Sequence, residues 1–141
     1  MTSNAKFVLA ALAGGVVGAT AATALAASDL LTGTSASSLS ILQSTDLAAI
    51  KGKQAVLTMV DIPAGFDGGY QFHHGQEIGY VMDGAVDLLV DGKPTQKLKA
   101  GDSYQIAAER PFDMVTRGDH AVRLLAVYIV DKDKPLTEAV P

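Results

Sequence analysis

From Gln54 to Val130 the apolar residues come only in short runs, each stopped by glycine, aspartate or proline, and this rhythm restricts the chain to strands. Ala55 to Ile62 is rich in Val, Leu, Met and Ile and ends at Pro63-Ala64-Gly65. Glu77 to Met82 is bounded by Gly75 and Gly84. Val86 to Val90 runs into Asp91-Gly92, a dipeptide suited to a tight hairpin in which both central residues take positive φ, and Thr95 to Leu98 is the returning strand. Gly101-Asp102 turns again into Ser103 to Ile106. Val122 to Val130 is the longest apolar run, closed by Lys132 to Lys134 and Pro135. Such a series of short strands predicts an all-β barrel or sandwich. One local helical signal interrupts it. Ser44-Thr45-Asp46 ahead of Leu47-Ala48-Ala49-Ile50 predicts a single capped helical turn, ended by Gly52.

The length of 141 residues suits one domain, and the first residues read as a leader rather than part of it. Met1 to Lys6 carries one positive charge, and Phe7 to Leu25 is free of charge and rich in Ala, Val and Gly. Ala24-Leu25-Ala26 then supplies the small-x-small pattern of a signal-peptidase site, so a signal peptide over 1–26 with cleavage before Ala27 is expected. The rival is an uncleaved anchor, since a span needs ~20 apolar residues. The glycines and threonines between Gly14 and Thr23 make the segment weakly apolar and favour cleavage. The expected location is periplasmic or secreted, with no stable membrane insertion after cleavage. Ser28 to Ser44 is small, polar and serine-rich and reads as an extended lead-in. The chain thus divides into a leader, a lead-in over 27–52, a strand barrel over 53–134 and a tail over 135–141.

No cysteine occurs, which excludes a disulfide framework, a thiolate metal site, a cysteine nucleophile and a lipid-modified cysteine. An exported chain of this kind draws its stability from its core and from any interface. Removing Lys6 with the leader leaves ten Lys and Arg against fifteen Asp and Glu, a net charge of −5. There is no basic run, so nucleic acid is not an expected partner. A strand covered on one side only should alternate, yet Val122 to Val130 is apolar on both faces apart from Arg123. A second covering layer is implied, either the N-terminal segment or another subunit, and a homodimer is expected.

The chemistry-bearing stretch is Gln71-Phe72-His73-His74-Gly75-Gln76-Glu77, followed by a short strand to Gly84. Imidazole nitrogen and carboxylate oxygen together suit a divalent metal such as iron, manganese, nickel or zinc. With these residues, Pro63 to Leu136 resembles the small single-domain cupins, double-stranded β-helix (jelly-roll) barrels with a pocket between two sheets. Glu77-Ile78-Gly79-Tyr80-Val81-Met82-Asp83-Gly84 matches the second half of that family's first motif, His73 falls on its second histidine and Gln71 on its first. Gly101 opens the second motif, whose histidine position, eleven residues on, is Phe112, and whose later asparagine is Thr116. The resemblance implies a metal site in which only His73 and Glu77 remain, with the Gln71 amide oxygen as a weaker third donor. It also implies a ligand pocket of Gln71, His73, Glu77, Phe112, Tyr80 and Tyr104. Met82, Leu88, Ile106 and Met114 are further core or pocket candidates.

Binary patterning leaves a second register open, with His74 inward in place of His73, because a one-residue slip exchanges faces. The spacing to Glu77 favours His73 and Gln71 inward, with Tyr70 and Phe72 covered on the outer face by an interface. His74 then reads as an exposed turn residue, and His120 in Arg117-Gly118-Asp119-His120 as an exposed loop residue. No nucleophile elbow, phosphate-binding glycine loop or zinc-ligand repeat is present. Two classes of function stand: a ligand-binding protein with a degenerate metal site, and a metal-dependent dioxygenase or isomerase using His73 and Glu77. An interaction module using an apolar outer sheet is a third.

Overall fold

The computed structural model describes residues 36–141, so the leader, its cleavage site and the first part of the lead-in lie outside the described residues. Ten strands follow in order: β1 (Ser38–Asp46), β2 (Lys53–Ile62), β3 (Gln71–Phe72), β4 (Gly75–Asp83), β5 (Ala85–Val90), β6 (Gln96–Lys99), β7 (Ser103–Ile106), β8 (Phe112–Val115), β9 (Val122–Asp131) and β10 (Glu138–Ala139). They form two five-stranded antiparallel sheets, ordered β1-β2-β9-β4-β7 and β10-β3-β8-β5-β6. The all-β architecture expected from the turn rhythm is present, and the two sheets are consistent with the jelly-roll arrangement that the resemblance implies. Closure is not: the two sheets remain separate hydrogen-bonded ladders among the described residues.

The expected helical turn at Thr45–Ile50 is corrected. Ser38–Asp46 is a strand paired along its length with β2, from Ser38 opposite Asp61 to Asp46 opposite Gln54. Leu47 to Gly52 forms the connecting turns, with Ile50 N–H donating to the Leu47 carbonyl at 3.0 Å. A local cap signal competes here with a ladder of many backbone bonds, and the ladder prevails. The Asp91-Gly92 turn is also looser than expected. Only Gly92 takes positive φ (73°), Lys93 N–H donates to the Val90 carbonyl at 2.9 Å, and β6 begins only at Gln96.

The core lies between the sheets. β9 alternates strictly, with Val122, Leu124, Ala126, Tyr128 and Val130 buried and the intervening residues more exposed. One apolar cluster joins Ile62, Val81, Val122 and Leu124 of the first sheet to Val86, Leu88, Val90, Leu98, Phe112 and Met114 of the second, with Tyr104 and Ile106 beside them. A second cluster, Val56, Ala126, Tyr128 and Val130, is covered by Leu39 from β1 and Leu136 from the C-terminal segment. That segment is therefore part of the architecture. β10 pairs Glu138 with Phe72 and Ala139 with Gln71, extending the second sheet by one strand. Among the described residues no helix is long and apolar enough to cross a membrane.

Candidate functional site

Between the two clusters sits a buried polar centre. Gln71 of β3, His73 in the connection that follows it and Glu77 of β4 all turn to the inner face, and all three are buried, His73 and Glu77 to 2 % exposure. His73 Nε2 lies 2.8 Å from Glu77 Oε2. On its other side His73 Nδ1 lies 2.8 Å from the Leu136 carbonyl and 3.1 Å from Thr137 Oγ1. A carbonyl only accepts, so Nδ1 carries a proton, and the bond to Glu77 holds another between nitrogen and oxygen. Both ring nitrogens are thereby committed.

The second oxygen of Glu77 accepts the Tyr104 hydroxyl at 2.7 Å, and the buried Tyr128 lies close enough to Glu77 to feel its charge. Burial holds both phenols well above their ordinary range, and the neighbouring Glu77 charge adds to it, so both stay protonated as donors. A buried carboxylate is costly unless its oxygens find donors; here one oxygen meets His73 and the other Tyr104 of β7. The His73 ring is enclosed by Phe112, with centroids 4.7 Å apart, and by Tyr128 edge-on at 5.0 Å. Gln71, paired in register with Phe112, is different: its buried Oε1 has no hydrogen-bond partner.

Five of the six residues expected in the pocket, Gln71, His73, Glu77, Tyr104 and Phe112, share the interior. Tyr80 does not join them. It lies 47 % exposed on the opposite face of β4, as do Ile78 and Met82. Leu88, Ile106 and Met114 are core. His74 is not an exposed turn residue but is half-buried, its Nδ1 2.8 Å from Glu109 Oε1 and its Nε2 2.9 Å from Glu138 Oε2. Each bond to a carboxylate needs an N–H, so the ring is an imidazolium, and the hydrogen bond it donates to Glu109 raises its pKa. Glu109 itself takes φ 58°, while its N–H donates to the His73 carbonyl at 2.9 Å. Tyr70 is exposed rather than covered, and Phe72 is half-buried with its ring edge-on to His74 at 5.3 Å. His120 stands in solvent, as expected.

Tyr128, Leu136 and Asp113 were not singled out from the sequence. Tyr128 had a signal, being the one polar tip at an inward position of β9. Asp113, between Phe112 and Met114, faces the loop that carries Asp67, and burial, then Asp67, pushes its carboxyl up to about 6. Its Oδ1 is buried without a donor. A surface groove of about 440 Å³ is lined by Tyr70, Asp91, Pro111, Val140 and Pro141, apart from the polar centre.

A family model for the cupin domain matches residues 58–128, just over half of the chain. The chain belongs to the cupin family. Solved structures agree in fold. A cupin-like protein from Thermotoga maritima is 20 % identical with a TM-score of 0.60, over 76 % of this chain and 77 % of that one. The DMSP lyase DddQ from Ruegeria pomeroyi is 22 % identical with a TM-score of 0.57, over 61 % of this chain and 43 % of the lyase. The polyketide cyclase RemF from Streptomyces resistomycificus is 21 % identical with a TM-score of 0.52, over 64 % and 72 %. This cupin thus spans less than half the length of the lyase it matches. A comparison with curated proteins finds no match.

The donors of this cupin do not fit a tightly held metal ion. The imidazole is bonded to the carboxylate, the carboxylate accepts the Tyr104 hydroxyl, and the remaining donor is a neutral amide oxygen. Among the described residues no group of three His, Cys, Asp or Glu side chains is arranged to hold a metal ion. Phe112 packs against His73 at the position where the family motif supplies its last histidine.

Proposed function

We propose that this cupin is an exported protein that binds a small polar ligand at the His73–Glu77–Gln71 centre without a resident metal. One observation carries the reading: both nitrogens of His73 are committed to protein oxygens, so no imidazole lone pair is free to hold a cation. The centre offers instead a hydrogen-bonding array with an apolar wall in Phe112, and one open acceptor, Gln71 Oε1, for an N–H or O–H group of a ligand. Leu136 and Thr137 cover His73, so entry requires the C-terminal segment to move. Export rests on the charge-free Phe7 to Leu25 and on Ala24-Leu25-Ala26.

The same unpartnered Gln71 oxygen favours a second reading, a metal-dependent enzyme in which His73, Glu77 and Gln71 serve as donors once the His73–Glu77 bond opens. Equilibrium dialysis against iron, manganese, nickel and zinc separates the two. Under the first reading the wild type binds each weakly, and Gln71→His with Phe112→His raises affinity steeply by adding two imidazoles. Near-stoichiometric metal on the wild type, lost in Glu77→Ala, overturns it. N-terminal sequencing of protein from the cell envelope tests export. A start at Ala27 is expected, and an intact Met1 on a membrane-bound product refutes cleavage.

A further inference from the structure

The C-terminal segment that covers the polar centre is lightly attached. After β9, Lys132, Asp133, Lys134 and Pro135 are all exposed, and the chain then passes over His73. β10 pairs with β3 through only two residues, and Val140 N–H adds one bond to the Tyr70 carbonyl at 3.0 Å. No side chain from Pro135 to Pro141 is fully buried. Leu136 is half-buried against the Val56 and Tyr128 cluster, and Val140 is 38 % exposed. A segment with so little buried apolar surface opens locally, well below the cost of global unfolding.

His74 grips this segment from the body of the fold. Its carbonyl accepts the Asp131 N–H at 3.1 Å, its ring stands edge-on to Phe72, and its Nδ1 donates to Glu109. Glu109 is itself fixed by the bond from its N–H to the His73 carbonyl, in a left-handed conformation uncommon outside glycine. These contacts orient the ring so that Nε2 meets Glu138 of β10 at 2.9 Å. Among the described residues this is the one ion pair between 135–141 and the rest of the chain. The His74 side chain is only 11 % exposed, so the bond is sheltered as well as charge-assisted.

We propose that residues 135–141 are a gate over the His73–Glu77–Gln71 centre and that His74 holds the gate shut through Glu138. The gate has a use because the centre takes a ligand, the reading on which this inference rests. Leu136, Thr137 and Glu138 are consecutive, so releasing Glu138 lets the Leu136 carbonyl and the Thr137 hydroxyl leave His73 Nδ1 together. Ala139, opposite Gln71, leaves with them. The two sheets need not part, because β10 is an edge strand and the exposed turn before Pro135 serves as the hinge. His74 is thus a positioning residue that touches no ligand and sets how often the centre is uncovered.

Hydrogen exchange in the full-length, 15N-labelled chain tests this, read by NMR at the Val140 amide, at His73 Nδ1–H and at the β9 amides. In the wild type the first two should share one opening constant that hardly changes with dilute urea. The β9 amides should open far more rarely and with a steep urea dependence, as global unfolding requires. His74→Gln and Glu138→Gln should each raise the shared constant at least about 10-fold, the loss expected for a sheltered, charge-assisted bond. Combined they should add little, since both break one contact. Asp87→Asn, which breaks the Arg117–Asp87 pair elsewhere on the same sheet, should leave the constant unchanged. Opening of Val140 only with β9, or a constant unmoved by His74→Gln and Glu138→Gln, overturns the proposal. So does a loosened Val140 with His73 Nδ1–H still protected, or an equal effect from Asp87→Asn. No ligand or metal enters the measurement, so a failure here is distinct from a failure of the dialysis test of the centre.

Discussion

The ring of Tyr104 occupies the space a Cβ at Gly79 would fill, so the bare backbone of β4 is what lets the Tyr104 hydroxyl reach Glu77 across the sheet. Sequence, packing and the polar centre meet in this cross-strand pair.

Gly79→Ala is therefore expected to displace the Tyr104 ring and break its bond to Glu77, at ~2–4 kcal/mol of stability. Tyr104→Phe, which keeps the ring, should cost about 1–2 kcal/mol. In a Tyr104→Ala background most of the cost of Gly79→Ala should vanish, and urea unfolding of the four proteins measures that coupling. Additive costs would show that the ring does not rest on Gly79.

Removing either member of the His73–Glu77 pair strands the other in the core. His73→Leu and Glu77→Leu should each destabilise by ~3–5 kcal/mol, whereas the double variant should cost less than either alone. Chemical denaturation midpoints check this. A double variant as unstable as the sum would mean that the tyrosine hydroxyls, not the pair, set the cost.

Asp113 makes stability depend on pH. Its folded pKa of about 6 stands above the ordinary 3.8, so between those values the folded state holds the extra proton. Stability is then greatest at the acid side of that window and falls as pH rises through it, by on the order of 2–3 kcal/mol. Urea midpoints at pH 4.5 and 7.5 measure the slope. Asp113→Asn, which cannot ionise, should flatten it, and so in part should Asp67→Asn.

Gly92 sits at φ 73° in the turn after β5. Gly92→Val places a branched side chain in the left-handed region and should cost ~1 kcal/mol or more. A thermal melt reads it directly, and an unchanged midpoint would show that the turn readjusts.

The strands were legible because glycine, aspartate and proline mark their ends, and Gln71, His73 and Glu77 were legible because spacings of two and four residues keep them on one face. The odd spacing of three residues from Glu77 places Tyr80 outward, a signal present in the sequence but outweighed by the expectation of an aromatic pocket wall. The helical turn misled because capping chemistry is local while the β1–β2 ladder that overrides it is not. His74 was illegible for a related reason. Its two carboxylate partners lie 35 and 64 residues away, and no local pattern announces them.

The acceptor for the His73 Nδ1 proton comes from the Leu136 carbonyl, 63 residues downstream. β2 to β9 can pair while that proton still has no protein acceptor. The polar centre is thus finished only when the C-terminal segment has folded back over it. A chain truncated before Leu136 would hold a nearly complete pair of sheets around an imidazole open to water.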